Sequence, residues 1–273
     1  AGALAQRLGL DPILVRCLWA VLAAFSGIGL ILYGLGWALL PEEGDGRIHL
    51  EQAIHGNVDV GFAFDGDGDR VLAVDANGNV VDGDKIMFIL AKHLKEKGEL
   101  NDNMVVSTVM SNIGFYKAIE ENGLQSVKTA VGDRYVVEEM RNNNYSLGGE
   151  QSGHIILMNY ATTGDGILTA VKLADILKTS GKTLEELANE VNIYPQKLVN
   201  IKVLDKKLAM EDQDVLEECA KVEKELKGNG RILLRASGTE NLIRVMVEAS
   251  SDELTDKYCE QVAKIVREKY KAK

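Results

Sequence analysis

The sequence predicts an α/β protein in which a mixed-sheet α/β domain precedes a small α+β domain, with an apolar, transmembrane-like helical segment at the N-terminus. Three observations predict this fold class. Residues 17–40 carry no charged side chain, strand and helix signals alternate from about residue 58, and beyond Pro195 the order is strand, helix, two strands and a final helix. Alternation of this kind is typical of helices layered on a sheet. We expect four segments, at residues 1–56, 58–80, 81–192 and 198–273.

The apolar run at residues 17–40 is long enough for a membrane span, which needs ~20 apolar residues. A buried helix of a soluble core would show a polar face, and a signal peptide would have a shorter apolar run. We therefore predict membrane association through residues 13–40. Arg7 and Arg16 precede the run and acidic residues follow it, which predicts a cytoplasmic N-terminus.

The elements of the 81–192 segment follow from hydrophobic periodicity and capping residues. The first helix, at 83–100, is predicted to be capped by Asp84 and to end at Gly98. The last helix is predicted to begin at Asp165 and to stop at Gly181. Between them we predict a strand at 104–110, a helix at 111–123, a strand at 126–132, a helix at 133–144 and a strand, loop and strand across 146–157.

Length and charge narrow the function classes. A chain of 273 residues has room for about two domains that each bury a core. The net charge of -10 argues against a nucleic-acid partner, so an anionic substrate would need local arginines. Cys17, Cys219 and Cys259 are odd in number and widely spaced, which favours neither a disulfide framework nor a metal knuckle and indicates a reducing compartment.

The stretch FDGDGDR, residues 64–70, places Asp65, Asp67 and Asp69 at alternate positions, with Arg70 directly after them. The intervening glycines allow a tight loop in which the carboxylates converge, and converging carboxylates repel unless a cation lies among them. Oxygen ligands without His or Cys favour Mg²⁺. An EF-hand would require glycine and glutamate at positions that Arg70 and Ala76 occupy. A solvated Asp-Gly turn between two strands is the alternative.

A second loop, RASGTENLIR at residues 235–244, lies between two apolar runs and predicts a phosphate site at the end of a hairpin. Small residues let backbone N–H groups and hydroxyls point at one anion, and the flanking arginines supply charge-assisted hydrogen bonds. An ordinary Ser-Gly turn with arginines on the solvent face is the alternative. The predicted phosphate-binding residues are Arg235, Ser237, Gly238, Thr239 and Arg244.

Two further loops carry candidate ligand groups. GGEQSGH, residues 148–154, alternates Glu150, Ser152 and His154 among glycines, which suits sugar hydroxyls and a proton-transferring histidine. VGDRY places Asp133 and Arg134 at a strand-to-helix junction, where α/β proteins bind ligands. A surface turn with a solvated histidine is the alternative for the first loop, and a plain helix N-cap by Asp133 for the second.

In this order, over roughly 200 residues, the four loops resemble those of the α-D-phosphohexomutases. The resemblance implies that 58–80 is the tail of domain 2, 81–192 the sugar-recognition domain 3 and 198–273 the phosphate-binding domain 4. It implies Mg²⁺ on the three aspartates of the first loop, with Arg70 beside the transferring phosphate and His154 as an acid/base group. Sugar binding by Glu150 and Ser152 is implied in the same way.

The resemblance also implies a reaction, an isomerisation in amino-sugar metabolism that moves a phosphoryl group on a hexosamine phosphate through a bisphosphate. Glutamine at Gln151 points to the glucosamine branch of the family. The phosphate loop departs from the commoner family pattern at Ala236 and Asn241, which leaves the anion site intact but weakens the assignment to a branch. The family's phosphoserine loop pairs serine with histidine, and none of the four histidines follows a serine, so we expect this chain alone to bind substrate without turnover.

Residues 1–56 resemble the PspC domain of bacterial stress proteins, on the Leu-Gly-Leu-Asp-Pro turn, the apolar run and the closing Leu-Leu-Pro-Glu-Glu. PspC domains are membrane segments that bind other proteins, whereas the remainder implies a cytoplasmic enzyme. We therefore hypothesise a fusion of unrelated pieces joined near His55 to Val58. The alternative function is a membrane-anchored stress or sensor protein whose second half binds a sugar phosphate without turnover. The sequence leaves the oligomeric state open.

Overall fold

The structure, a computed structural model, describes residues 58–270. The predicted membrane segment at 13–40 and the PspC-like region at 1–56 lie outside the described residues. Within the described part, no helix combines the length and the apolar content that a membrane crossing requires.

The strands on either side of the aspartate loop belong to a small three-stranded sheet of order β1-β2-β3, formed by β1 (Val60–Phe64), β2 (Val71–Asp75) and β3 (Val80–Val81). The Asp75 carboxylate closes the turn between β2 and β3, because its Oδ1 accepts hydrogen bonds from the N–H groups of Asn77 and Asn79 at 2.9 and 2.8 Å. A strand therefore lies on each side of the aspartate loop.

The central layer is a four-stranded sheet of order β5-β4-β6-β7 with helices against it. Strands β4, β5 and β6 run parallel, and β7 pairs antiparallel with β6, so the sheet is mixed as predicted. Its elements, in chain order, are α1 (Gly83–Glu96), β4 (Met104–Thr108), α2 (Ile113–Glu121), β5 (Gln125–Thr129), α3 (Asp133–Asn143), β6 (Leu147–Gly149), β7 (Ile155–Leu157), α4 (Gly166–Ser180) and α5 (Leu184–Ala188).

The start of α1 corrects one prediction. The N-cap is Asp82, whose side chain accepts from the Lys85 N–H at 3.1 Å, and the predicted cap Asp84 lies in the first turn with its side chain fully buried. The start of α4 agrees with the prediction, because Asp165 caps it and Gly181 ends it in the left-handed conformation. At α3 the N-cap position is Gly132, and Asp133 is the first helical residue rather than the cap.

The C-terminal layer is a three-stranded antiparallel sheet of order β8-β10-β9, covered on one face by helices. The single helix predicted after β8 is two helices, because Asp212 interrupts it and caps the second one through hydrogen bonds from the N–H groups of Asp214 and Val215. The elements are β8 (Gln196–Lys202), α6 (Lys206–Glu211), α7 (Gln213–Leu226), β9 (Gly230–Ala236), β10 (Leu242–Ala249) and α8 (Asp252–Tyr270).

One face of the C-terminal sheet packs against its helices, and the opposite face is available for other contacts. Side chains alternate between the two faces of a strand, and those pointing toward α7 and α8 are apolar. On β9 and β10 these apolar residues are Ile232, Leu234, Ala236, Ile243, Val245, Val247 and Ala249. The opposite face of the same two strands carries Arg231, Leu233, Arg235, Arg244, Met246 and Glu248.

Candidate functional site

The three aspartates between β1 and β2 converge. Asp65, Asp67 and Asp69 each present a carboxylate oxygen within 4.8 Å of the other two. The Oδ1 atom of Asp69 is buried and, among residues 58–270, has no hydrogen-bond partner. A buried oxygen of this kind costs free energy unless a donor or a cation meets it. The donor set, three carboxylates without sulfur or nitrogen, fits a hard cation such as Mg²⁺.

Arg70 closes one side of this aspartate cluster. Its backbone N–H donates to Asp65 Oδ1 at 3.2 Å, and its Nε lies 3.8 Å from carboxylate oxygens of both Asp65 and Asp69. Desolvation acts to raise the pKa of Asp65, but the Arg70 N–H, an interaction with Asp69 and the Arg70 charge together hold that pKa below its ordinary value. The Arg70 side chain is 49% exposed, so its guanidinium is accessible to a ligand.

His154 joins the aspartate cluster to the loop predicted to bind sugar. Its Nε2 accepts a hydrogen bond from the Gly164 N–H at 3.2 Å, so the ring proton is on Nδ1, which donates to Asp69 Oδ2 at 3.0 Å. The residue is 3% exposed. A Cβ on Gly164 would clash with the ring, so only glycine allows this approach. Both ring nitrogens are therefore occupied in the structure, and the predicted acid/base role of His154 stays a prediction.

Backbone contacts hold the sugar loop against the aspartate loop. The Val71 N–H donates to the Gly153 carbonyl at 3.1 Å, and Arg70 and His154 form a single antiparallel bridge. Gly153 has a φ of +93°, and an added Cβ would clash with the Val71 carbonyl oxygen. The loop also reaches α1, because the Gly83 N–H donates to the Gln151 carbonyl at 3.0 Å.

An open cleft of 470 Å³ lies where the parallel strands β4, β5 and β6 end. Ligands of α/β sheets bind at the carboxyl ends of the strands, so the position of the cleft agrees with its use as a binding site. Of the predicted sugar residues it is lined by Glu150 and Ser152. Val131, the first residue of the VGDRY loop, also lines it. Sequence reasoning missed four further lining residues, because no motif marks them: Leu72, Asp82, Thr108 and Met110.

The VGDRY loop meets the sugar loop through a backbone group. The Gly132 N–H donates to Glu150 Oε1 at 3.2 Å, which fixes the position of that carboxylate. Asp133 is exposed, and Arg134 stacks on the Tyr135 ring with its guanidinium carbon 4.4 Å from the ring centroid. Asp133 and Arg134 thus follow a residue that contacts the sugar loop, but they do not line the cleft.

The predicted phosphate loop joins β9 to β10, as the end of a hairpin. Arg235 and Arg244 are paired across the two strands, and neither forms an ion pair with a carboxylate within residues 58–270. Arg244 Nε is buried without a hydrogen-bond partner in this part of the chain. Desolvation, followed by the nearby Arg244 charge, lowers the pKa of Arg235 below its usual range. Two guanidinium groups without a carboxylate partner in this part of the chain have the charge and the donors that suit an anion.

The rest of this loop leaves room for that anion. Ser237 is 4% exposed and its N–H donates to the Leu242 carbonyl at 2.9 Å, whereas Gly238 and Thr239 are exposed. Apart from Gly238 itself and its two chain neighbours, no described residue has an atom within 4 Å of where a Gly238 Cβ would be. Sequence reasoning missed Lys206, whose ammonium group donates to the Ser237 carbonyl at 2.8 Å and adds a third positive charge beside the loop.

Models of known families match three stretches of this chain. Residues 82–194 match the alpha/beta/alpha domain III of phosphoglucomutase/phosphomannomutase, and residues 198–265 match the C-terminal domain of the same family. Residues 1–43 match the PspC domain. The resemblances to the phosphohexomutases and to PspC are therefore confirmed over these ranges.

The chain is also similar to curated proteins named phosphoglucosamine mutase. The one from Anoxybacillus flavithermus is 61% identical over 214 residues, which are 78% of this chain and 48% of that protein. The one from Exiguobacterium sibiricum is 58% identical over 232 residues, 84% of this chain and 51% of that protein. The chain thus spans about half the length of the curated relatives that it matches.

Solved structures show the same fold. An N-acetylglucosamine-phosphate mutase of the alpha-D-phosphohexomutase superfamily, in its product complex, aligns with a TM-score of 0.64 at 22% identity over 76% of this chain and 48% of its own. Aspergillus fumigatus N-acetylphosphoglucosamine mutase, solved with GlcNAc-6P and magnesium, aligns with a TM-score of 0.65 at 23% identity over 75% of this chain and 51% of its own. Over residues 82–194 and 198–265, the chain belongs to the phosphoglucomutase/phosphomannomutase family.

Proposed function

We propose that this chain carries the metal, sugar and phosphate sites of a phosphoglucosamine mutase, an isomerase that interconverts glucosamine 6-phosphate and glucosamine 1-phosphate through a bisphosphate. The observation that carries the proposal is the aspartate cluster. Its buried Asp69 Oδ1 has no hydrogen-bond partner among the described residues, and Asp69 Oδ2 contacts His154 of the sugar loop. The relatives at 57–61% identity supply the reaction class.

In this proposal Asp65, Asp67 and Asp69 hold Mg²⁺. The bound ion would offset negative charge on the transferring phosphoryl group. Arg70, half-exposed beside the cluster, supplies a second positive charge to that group. His154 acts as a positioning residue, because its Nδ1 proton holds Asp69 Oδ2 and leaves Oδ1 available to a cation.

The cleft at the carboxyl ends of the sheet holds the sugar. Glu150, fixed by the Gly132 N–H, and Ser152 bind the hydroxyl groups, with Asp133 and Arg134 beside them. Gln151 Nε2 donates to Asp82 Oδ2 at 3.2 Å, so its Oε1 is left to accept from a ligand. An amino group at C2 of the sugar donates such a bond, which supports a hexosamine phosphate as the substrate.

The phosphate that is not being transferred binds at the β9–β10 loop. Arg235 and Arg244 supply the charge, Ser237, Gly238 and Thr239 supply the hydrogen-bond donors, and Lys206 orients the loop through the Ser237 carbonyl. A cytoplasmic location agrees with the substrate class. The second prediction, a PspC-anchored sensor without turnover, is favoured only by the match at residues 1–43.

Calorimetric titration of the full chain tests this function. We expect glucosamine 1-phosphate to bind more tightly than glucose or mannose 1-phosphate, and we expect Mg²⁺ to strengthen binding. Arg235→Ala should remove most of the affinity for all three sugar phosphates. The control is Arg267→Ala, an arginine of α8 that forms an ion pair with Glu260 on the same helix. Equal affinity for all three sugars would contradict the proposal, and so would a Mg²⁺ dependence that survives unchanged in Asp69→Asn.

A further inference from the structure

Arg231, at the start of β9, forms hydrogen bonds both within the C-terminal layer and to the central layer. Its Nε and Nη2 donate to the two carboxylate oxygens of Glu248 at 2.8 and 2.9 Å. Its Nη1 and Nη2 also donate to the backbone carbonyls of Val109 and Ser111, at 3.0 and 2.6 Å. One guanidinium thus joins a carboxylate of the C-terminal layer to two carbonyls of the central layer.

Glu248 forms a second hydrogen bond between the C-terminal layer and the central layer. Its side chain is fully buried, and its Oε2 accepts a hydrogen bond from the Ile113 N–H, at the first residue of α2, at 2.8 Å. Together, Arg231 and Glu248 form a clamp that holds the backbone at residues 109–113. Buried, bidentate and charge-assisted bonds have a narrow range of acceptable geometry, so the clamp fixes orientation as well as contact.

The clamp lies between two parts of the proposed site. On the central layer it holds both neighbours of Met110, a residue that lines the sugar cleft. On the C-terminal layer Arg231 is on the same strand and the same face as Arg235, four residues further on, and Glu248 is likewise on the strand and face of Arg244. The clamp and the phosphate arginines are thus at the two ends of one face of the β9–β10 pair.

We propose that Arg231 and Glu248 are positioning residues, which set the distance and angle between the sugar cleft and the phosphate-binding arginines. A sugar phosphate has to reach both places at once, so its affinity depends on their relative position. Inorganic phosphate needs only Arg235 and Arg244, and Mg²⁺ needs only the aspartate cluster, so the affinities of these two probes do not depend on the clamp. The part of the inference that concerns sugar phosphates rests on the proposed function.

The variant that tests the clamp is Arg231→Met with Glu248→Gln in the full chain. It removes both charges together, so that neither is left buried alone, and the amide oxygen of the introduced glutamine would still accept the Ile113 N–H bond. Arg267→Met is the matched control, an arginine of the same layer whose partner Glu260 is on its own helix. Arg231→Lys keeps the charge but cannot reach all four acceptors, and it should show an intermediate effect.

Two measurements separate positioning from loss of folding. By calorimetry the double variant should bind glucosamine 1-phosphate at least roughly tenfold more weakly than the wild type. Inorganic phosphate and Mg²⁺ should bind it within about twofold of wild type, as expected for local sites that remain folded. Spin labels on non-natural side chains at positions 138 and 225, which the exposed Glu138 and Glu225 occupy, should give one narrow distance in the wild type and a broad distribution in the double variant.

A narrow distance distribution in the double variant would contradict the proposed role of the clamp, and so would an unchanged affinity for the sugar phosphate. The distance between the two spin labels is measured without any ligand, so it does not depend on the proposed function. If the wild type binds inorganic phosphate but no sugar phosphate, the proposed function fails, and the distance measurement still decides the role of Arg231 and Glu248.

Discussion

The buried carboxyl of Asp84 lies in an environment unlike the one predicted for a helix cap. A helix cap would be solvated, but the Asp84 side chain is fully buried, with Oδ2 accepting from the Asn112 N–H at 2.7 Å and Oδ1 unpartnered among the described residues. Burial, and secondarily the charge of Asp82, raise the pKa of Asp84 to about 8. A pKa raised this far favours the protonated form of Asp84 at neutral pH.

This protonation predicts a pH-dependent stability. The folded pKa of about 8 lies above the unfolded value of 3.8, so the stabilisation is complete below the unfolded pKa and is lost as pH rises through the folded pKa. Asp84→Asn imitates the neutral acid. Between pH 5 and 8, the unfolding free energy of the wild type should fall by at least ~1 kcal/mol relative to that variant.

Urea denaturation at several pH values measures this difference. Asp175→Asn, on α4 outside this buried cluster, serves as the control. If the wild type and Asp84→Asn show parallel profiles from pH 5 to 8, Asp84 is ionised in the folded state.

A second prediction at this scale concerns His154. The amide nitrogen of an asparagine falls near Nδ1 of histidine, and that of a glutamine falls near Nε2. His154→Asn should therefore keep the hydrogen bond to Asp69, whereas His154→Gln should lose it. We expect the affinity for Mg²⁺ to fall about tenfold or more in His154→Gln, the usual effect of removing a group that orients a metal ligand. Similar affinities in the two variants would argue against positioning through Nδ1.

At the scale of the element, the sugar loop depends on one backbone conformation. Gly153 combines a φ of +93° with contact to the Val71 carbonyl, whereas Gly181, at the end of α4, has a φ of +66° and open space around it. Gly181→Ala should cost about 1 kcal/mol, from the left-handed backbone alone. Gly153→Ala adds a backbone clash and should cost at least about 2 kcal/mol more. Thermal unfolding of the two variants measures this difference, and equal losses would contradict the tight packing of the loop on β2.

How far the sequence predicts the elements depends on what ends each of them. The start of α4 is predictable because an aspartate caps it and a glycine ends it, both local signals. The strands at 104–110 and 126–132 were predicted too long, because apolar residues beyond Thr108 and Thr129 continue the strand pattern. In the structure two of those residues, Met110 and Val131, line the cleft. Apolar residues of a strand and of a binding cleft look alike in a sequence.

The site shows the same limit. The aspartate cluster, the glycine-rich sugar loop and the phosphate loop are contiguous motifs, so their members could be named from the sequence. Asp82, Lys206 and Arg231 could not, because each acts through a residue distant in sequence: Gln151, Ser237 and Glu248 respectively. Such partners become visible only when the chain is folded.

At the scale of the molecule, charge gives a further prediction. The net charge of -10 repels anions overall, so any stabilisation by phosphate has to come from a local site. Inorganic phosphate at tenfold excess over its dissociation constant should add about 1.4 kcal/mol to the stability of the folded protein. The melting temperature should rise with phosphate but not with sodium chloride of equal ionic strength.

Two arginine variants locate the effect. Arg235→Ala together with Arg244→Ala should abolish the rise, and Arg267→Ala should keep it. A rise that survives in the double variant would place the anion site elsewhere on the chain.

Arg231 and Arg235 are four residues apart on β9, so a small change of angle at Arg231 becomes a larger displacement at Arg235. Four residues of strand span roughly 13 Å, so a tilt of about 10° at the Arg231 end displaces the Arg235 guanidinium by roughly 2 Å. That displacement equals most of a hydrogen-bond length. The planar Arg231 guanidinium binds four acceptors in fixed directions, so it limits this tilt. A lysine ammonium at position 231 could rotate about its own contact and would allow the tilt.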